Sequence, residues 1–277
     1  MRIFIITMDE PLFTNDFIKE IIRKRRNQIV GVATNRTNRL TLSKGKSKYA
    51  YLISMMLIMG LGPFLRNALI SMNFKLKKRL AHWKLCKDPS LLAWAREEGI
   101  KTYAIRSPNE KSFLQELAAL KPDVIINQCQ NILKKDLLSI PTIGVLNRHN
   151  ALLPRNRGRL TPFWVLYKEE METGVSIHFV EETLDSGDII VQKKFKIASN
   201  ETFNSLVKKN YEIAPAAMEE ALQKLERGES NFIRNAEEKA SYNYAPDLKD
   251  AWQFRKKRCQ QYFRKIVTQK MKIVENT

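Results

Sequence analysis

Short apolar runs alternate with stretches of helical spacing along the first half of the chain. Arg2 to Met8 reads as a buried strand. From Thr14 to Arg26 the apolar residues Phe17, Ile18, Ile21 and Ile22 share one helical face, and Gln28 to Thr34 is a second short strand. The same alternation resumes downstream. Ser90 to Glu98 predicts a helix with Ser90 as its N-cap, Thr102 to Ile105 a short strand, and Glu110 to Leu120 an amphipathic helix. Asp123 to Asn127 and Ile143 to Asn147 predict two further strands, and Val175 to Val180 another. Strand, helix and strand at this spacing predict an α/β architecture with an open parallel sheet. Ligands of such sheets gather at the carboxyl ends of the strands, and Asn147 stands at one of them. The tail predicts two helices: Phe203 to Leu225, broken or kinked near Pro215, and a basic helix from Trp252 to Val274.

One segment departs from this regularity. Ala50 to Leu65 is uncharged, short for a membrane span of about 20 residues, and interrupted by Gly60, Gly62 and Pro63. Lys44, Lys46 and Lys48 precede it, and Arg66, Lys75, Lys77, Lys78 and Arg79 follow. It is expected to be a core or interface helix, with an element dipping into an anionic bilayer as the alternative.

Charge sharpens that picture. The chain of 277 residues carries a net charge of +19. Between Ile21 and Lys87 there are 16 Lys and Arg and no acid, and Arg255 to Lys272 holds eight more, also without an acid. Asp88 to Gln253 is close to neutral, with 24 acids against 22 bases. The excess is therefore regional and favours a polyanionic partner: nucleic acid, anionic lipid or a phosphorylated substrate. Cys86, Cys129 and Cys259 are far apart, which argues for a reducing compartment and against a cysteine-based zinc site. The N-terminus lacks the pattern of a cleaved signal peptide. The chain is accordingly read as cytoplasmic, with a peripheral position at the membrane left open.

Chemistry concentrates between Asn147 and Ile190. Asn147 and His149 flank a strand end, before a turn rich in Pro, Asn and Gly. A neutral imidazole there can accept a proton, and an Asn amide can hold a developing oxyanion. Asp185, on a tight turn two residues before Gly187, can orient and charge-stabilise the imidazole. On chemistry alone, a lone Asn-x-His is common by chance. His178, on a strand between Ile177 and Phe179, is read as a structural or packing residue, with contact to an acceptor as the alternative, and Arg157 as holding the turn or meeting a phosphate.

The surrounding text resembles the formyltransferase family. It contains Asn147-Arg148-His149, Leu152-Leu153-Pro154, Arg157-Gly158, Pro162-Phe163-Trp164, Gly174-Val175-Ser176-Ile177-His178 and Asp185-Ser186-Gly187, preceded by Lys121-Pro122-Asp123 and Ile132-Leu133. The match covers roughly residues 90 to 200, with the first strands fitting more loosely. Two positions depart from the family pattern: His149-Asn150-Ala151 stands where His-Pro-Ser is usual, and Asn131 where glycine is common.

The resemblance implies the Rossmann-like sheet of the formyltransferase catalytic domain, over residues 1–200 with a basic, apolar insertion near 36–87, followed by a short helical C-terminal extension over 201–277. It implies transfer of a formyl group from 10-formyltetrahydrofolate to a primary amine, without a metal. Asn147, His149 and Asp185 would be catalytic. Asn131, Ile132, Leu133, Leu138, Val180, Glu181 and Thr183 would contact the folate. The acidic, glycine-free Met8-Asp9-Glu10-Pro11 argues against a glycinamide ribonucleotide acceptor. Tyr242-Asn243, Pro246, Asp250 and Phe254-Arg255 resemble a segment of the sugar-type enzymes and favour a phosphate-linked amino sugar, with methionyl-tRNA as the alternative acceptor. An anionic membrane surface, tRNA and a second copy of the chain stay open as partners, as do a folate-dependent deformylase and a non-catalytic relative that binds nucleic acid or membrane.

Overall fold

The computed structural model describes residues 1–35 and 47–275, with side chains through residue 261. Lys44 and Lys46 lie outside the described residues. The strands are β1 (Ile3–Met8), β2 (Ile29–Asn35), β3 (Thr102–Ile105), β4 (Val124–Asn127), β5 (Gly144–His149), β6 (Arg157–Gly158), β7 (Glu172–Phe179), β8 (Ile189–Lys196) and β9 (Tyr242–Asn243). Seven of them form one sheet in the order β3-β2-β1-β4-β5-β7-β8. The pairs from β3 to β5 are parallel, whereas β5–β7 and β7–β8 are antiparallel. Strand order reverses between β1 and β4, and the carboxyl ends there define the crevice of such a sheet.

The helices are α1 (Thr14–Arg25), α2 (Lys48–Met59), α3 (Leu61–His82), α4 (Leu91–Glu97), α5 (Lys111–Ala119), α6 (Lys135–Leu138), α7 (Thr161–Tyr167), α8 (Phe203–Glu226) and α9 (Leu248–Glu275). Alternation along β1 divides the core. Ile3 and Ile5 pack with Phe17 and Ile21 of α1, Leu91 of α4, and Met218 and Leu222 of α8. Phe4 and Ile6 point the other way, onto Phe113 and Leu117 of α5. Ser90 caps α4 as expected, accepting the Ala93 N–H at 3.2 Å.

The structure adds to or departs from these expectations in three places. α8 runs unbroken through Pro215, whose neighbours Ala214, Ala217 and Met218 are all buried, so packing outweighs the missing backbone donor. β8 was hidden in the sequence because Lys193, Lys194 and Lys196 obscure its apolar start; it is an edge strand, where lysines discourage further pairing. The 50–65 run, expected as one core or interface helix, divides between two helices that differ in burial. Gly60, at φ +84°, ends α2 and opens α3. Only Ser54 and Ile58 of α2 are buried, and no residue of α3 is. α2 joins a hydrophobic core cluster through Ile58, with Phe163, Leu206, Ala251 and Phe254. Among the described residues no helix is long and apolar enough to cross a membrane.

Candidate active site

Strand geometry assembles the site. Side chains two residues apart on a strand share a face, so Asn147 and His149 of β5 project to the same side. The antiparallel register places His178 of β7 directly opposite Asn147. Beyond β7 the chain turns sharply and returns Asp185 to the same spot. Its Oδ2 lies 3.5 Å from His149 Nδ1, and its Oδ1 lies 3.8 Å from His178 Nε2.

Hydrogen bonds set the state of each group. His149 Nε2 is 2.8 Å from the Asn156 carbonyl, to which it donates its proton. The Nδ1 lone pair of neutral His149 therefore faces Asp185, ready to take a proton and pair with the carboxylate. His178 likewise donates Nδ1–H to the Phe179 carbonyl at 2.7 Å. It is almost wholly buried, and burial pushes its imidazole down to about 4 against the pull of the Asp185 carboxylate. His178 is thus a neutral acceptor, and its Nε2 lies 3.4 Å from Asn147 Nδ2.

Asn147 is oriented from behind. Arg148 stacks on Tyr211 at 4.0 Å and donates to Gln128 Oε1 at 2.9 Å. Gln128 Nε2 in turn donates to Asn147 Oδ1 at 3.1 Å. With its oxygen engaged, Asn147 presents its amide N–H groups to the site.

Asp185 is held by its own turn and by the tail. It sits at φ +50°, and its Oδ2 accepts the Gly158 N–H at 2.8 Å. Asn235 donates to the carbonyls of Asp185 and Gly187 at 2.8 and 2.9 Å. Asn235 is gripped by the fully buried Arg157, which also bonds Tyr242 Oη at 2.7 Å and pairs with Glu237. Arg157 therefore ties the turn to the tail. β6 and β9 complete the clamp as a short parallel ladder, which only glycine permits at position 158: a Cβ there would lie 2.2 Å from the Asn243 carbonyl oxygen.

A cavity of about 800 Å³ opens over these groups, and Asn147, His149, His178 and Asp185 all line it. Of the expected folate contacts, Asn131, Ile132, Leu133, Val180, Glu181 and Thr183 line it too. Leu138 does not; it packs beside Leu133 and Leu137 in the core cluster around Phe4. The opposite wall is Leu52, Met55 and Met59 of α2 with Phe64 and Ala68 of α3. A cavity of this size that mixes apolar side chains with many polar ones suits a ligand with both apolar surface and hydrogen-bonding edges. His149, His178 and Asp185 each offer one donor atom within 4.8 Å of the others, the geometry of a potential cation chelate; the chemistry implied by the family resemblance uses no metal. The sequence reading missed Gln128 as part of the site and favoured packing over acceptor contact for His178. For His178 the signal was present: a His on the strand antiparallel to Asn-x-His.

The family model described as formyl transferase matches residues 64–222, more than half of the chain. A methionyl-tRNA formyltransferase of Anaeromyxobacter dehalogenans is 35% identical over 143 residues, covering 51% of this chain and 46% of that protein. One from Clostridioides difficile is 33% identical over 153 residues, covering 55% and 49%. The chain spans about half the length of the curated relatives it matches. Among solved structures, the N-formyltransferase of Helicobacter canadensis, in complex with folinic acid and dTDP-3-aminofucose, superimposes with a TM-score of 0.57 at 17% identity, covering 88% of this chain and 71% of that one. Glycinamide ribonucleotide transformylase 1 of Symbiobacterium toebii gives 0.57 at 14% identity, covering 82% and 89%. At such identities these two show a shared fold.

Proposed function

The chain belongs to the formyl transferase family, and on that premise we propose that it transfers a formyl group from 10-formyltetrahydrofolate to a primary amine through Asn147, His149 and Asp185. The observation that carries this reading is the convergence of an amide donor, an imidazole lone pair and a carboxylate on one wall of the cavity. The folate supplies the formyl group as an N-formyl amide and takes back a proton on the nitrogen that departs. An Asn147 N–H group holds the oxyanion as the carbonyl carbon becomes tetrahedral. His149 Nδ1 receives the proton of the attacking amine and relays it toward the departing nitrogen. Asp185 stabilises the imidazolium between these events, and the Gly158 N–H and Asn235 keep the carboxylate in place.

Two acceptors have support. The curated relatives, 31–35% identical and named methionyl-tRNA formyltransferase, favour aminoacylated tRNA, to which the basic regions would add phosphate contacts. The seating of Tyr242-Asn243 on Arg157-Gly158 beside Asp185 supports a phosphate-linked amino sugar, since this tail segment resembles that of the sugar-type enzymes. A screen of amines with 10-formyltetrahydrofolate, including nucleotide-linked amino sugars and charged initiator tRNA, separates the two. In the same assay His149→Ala lowers turnover at least about 100-fold while folate affinity is retained. Near-normal turnover by that variant removes His149 from the chemistry.

A further inference from the structure

α3 carries two different faces. Asn67, Ala68, Ser71 and Phe64 turn inward and line the cavity. Leu61, Leu65, Leu69, Met72 and Leu76 recur at intervals of three and four, which gathers them within an arc of about 80° over a length of about 23 Å. These five side chains are 50 to 65% exposed, and none of the 22 residues of the helix is buried. Trp83, 59% exposed, extends the row past the helix end. Arg66, Lys75, Lys77 and Arg79 are exposed beside it, and the sequence holds no acid from Ile21 to Lys87.

An exposed apolar row rimmed by cations needs a partner that offers both an apolar phase and negative charge. A second copy would set two such basic faces against each other, in a chain already at +19. A nucleic acid would meet the cations and leave the leucines in water. An anionic bilayer meets both requirements.

We propose that the outer face of α3 seats on an anionic lipid bilayer, so that the cavity wall formed by α2 and α3 stands at the membrane surface and receives the amine of a phosphate-bearing amphiphile. The choice of amphiphile as acceptor rests on the formyl-transfer reading; the docking itself does not.

The test is sedimentation with vesicles of phosphatidylcholine alone, or with roughly 30 mol % phosphatidylglycerol added. The wild-type chain sediments with the anionic vesicles, and the bound fraction falls in about 0.5 M salt. Leu65→Asp/Leu69→Asp lowers partitioning at least about tenfold while keeping its circular dichroism spectrum and its transfer to a water-soluble amine. The docking surface is overturned if wild type stays in the supernatant, if the double variant partitions like wild type, or if the variant abolishes only a concentration-dependent dimer. Vesicle binding without transfer to any amine would sink the catalytic reading and leave the docking intact.

Discussion

His178 gives the structure a measurable pH signature. Its imidazole is buried and neutral, and burial pushes it down to about 4. In the unfolded chain the same group titrates near 6.5. Because the folded value is the lower one, protons bind preferentially to the unfolded chain between these limits, and stability is lost as pH falls through this window. Above about pH 6.5 the contribution is fully retained. Near pH 5 the unfolded imidazole is almost entirely charged while the folded one is mostly neutral, which removes about 2 kcal/mol, levelling off near 3 kcal/mol below pH 4. The perturbation is His178→Asn, whose amide can still donate to the Phe179 carbonyl. Urea unfolding near pH 7.5 and near pH 5 yields the loss for each protein, and the variant should lose about 2 kcal/mol less than wild type across that interval. The comparison is between slopes, so any packing defect in the variant cancels. Equal losses in both proteins would show that His178 is not a buried neutral base.

Two further outcomes follow from the clamp around Asp185. Asp185→Asn removes the charge facing His149 Nδ1 and should lower kcat by about 100- to 10,000-fold, with the fold retained by circular dichroism; an unchanged kcat removes the carboxylate from the proposed relay. Gly158→Ala places a methyl group against the Asn243 carbonyl at a φ of +102° and should cost about 2–4 kcal/mol in unfolding free energy. Wild-type stability for that variant would mean that the β6–β9 ladder does not form.

Much of the sheet was legible because its strands are buried on both sides and read as plain apolar runs. β1, β2, β4 and β5 all lie within two residues of their expected limits at each end. That the three residues of the proposed trio would meet was legible for a different reason: Asn-x-His places two side chains on one face of a strand, and the motif order supplied Asp185, which lies 3.5 Å from His149. What stayed hidden depends on contacts remote in sequence. Gln128 orients Asn147 only once β4 and β5 lie side by side. The role of Arg157 is set by Asn235, 78 residues later. The 50–65 run read as a core or interface helix because it is apolar, yet burial depends on what packs against a helix, and Leu61, Leu65 and Leu69 of α3 stay exposed.

The clamp on Asp185 also has a consequence in time. A chain made from its N-terminus acquires β1 to β8, with Asn147, His149, His178 and Asp185, well before Asn235, Tyr242 and Asn243 exist. Until those residues arrive, the turn that carries the carboxylate lacks the bonds from Asn235, and Arg157 lacks its partners. A growing chain can thus close its sheet early and acquire its reactive geometry late. A chain cut short before Asn235 would leave the buried Arg157 guanidinium without these partners and would deprive α2 of Ala251 and Phe254.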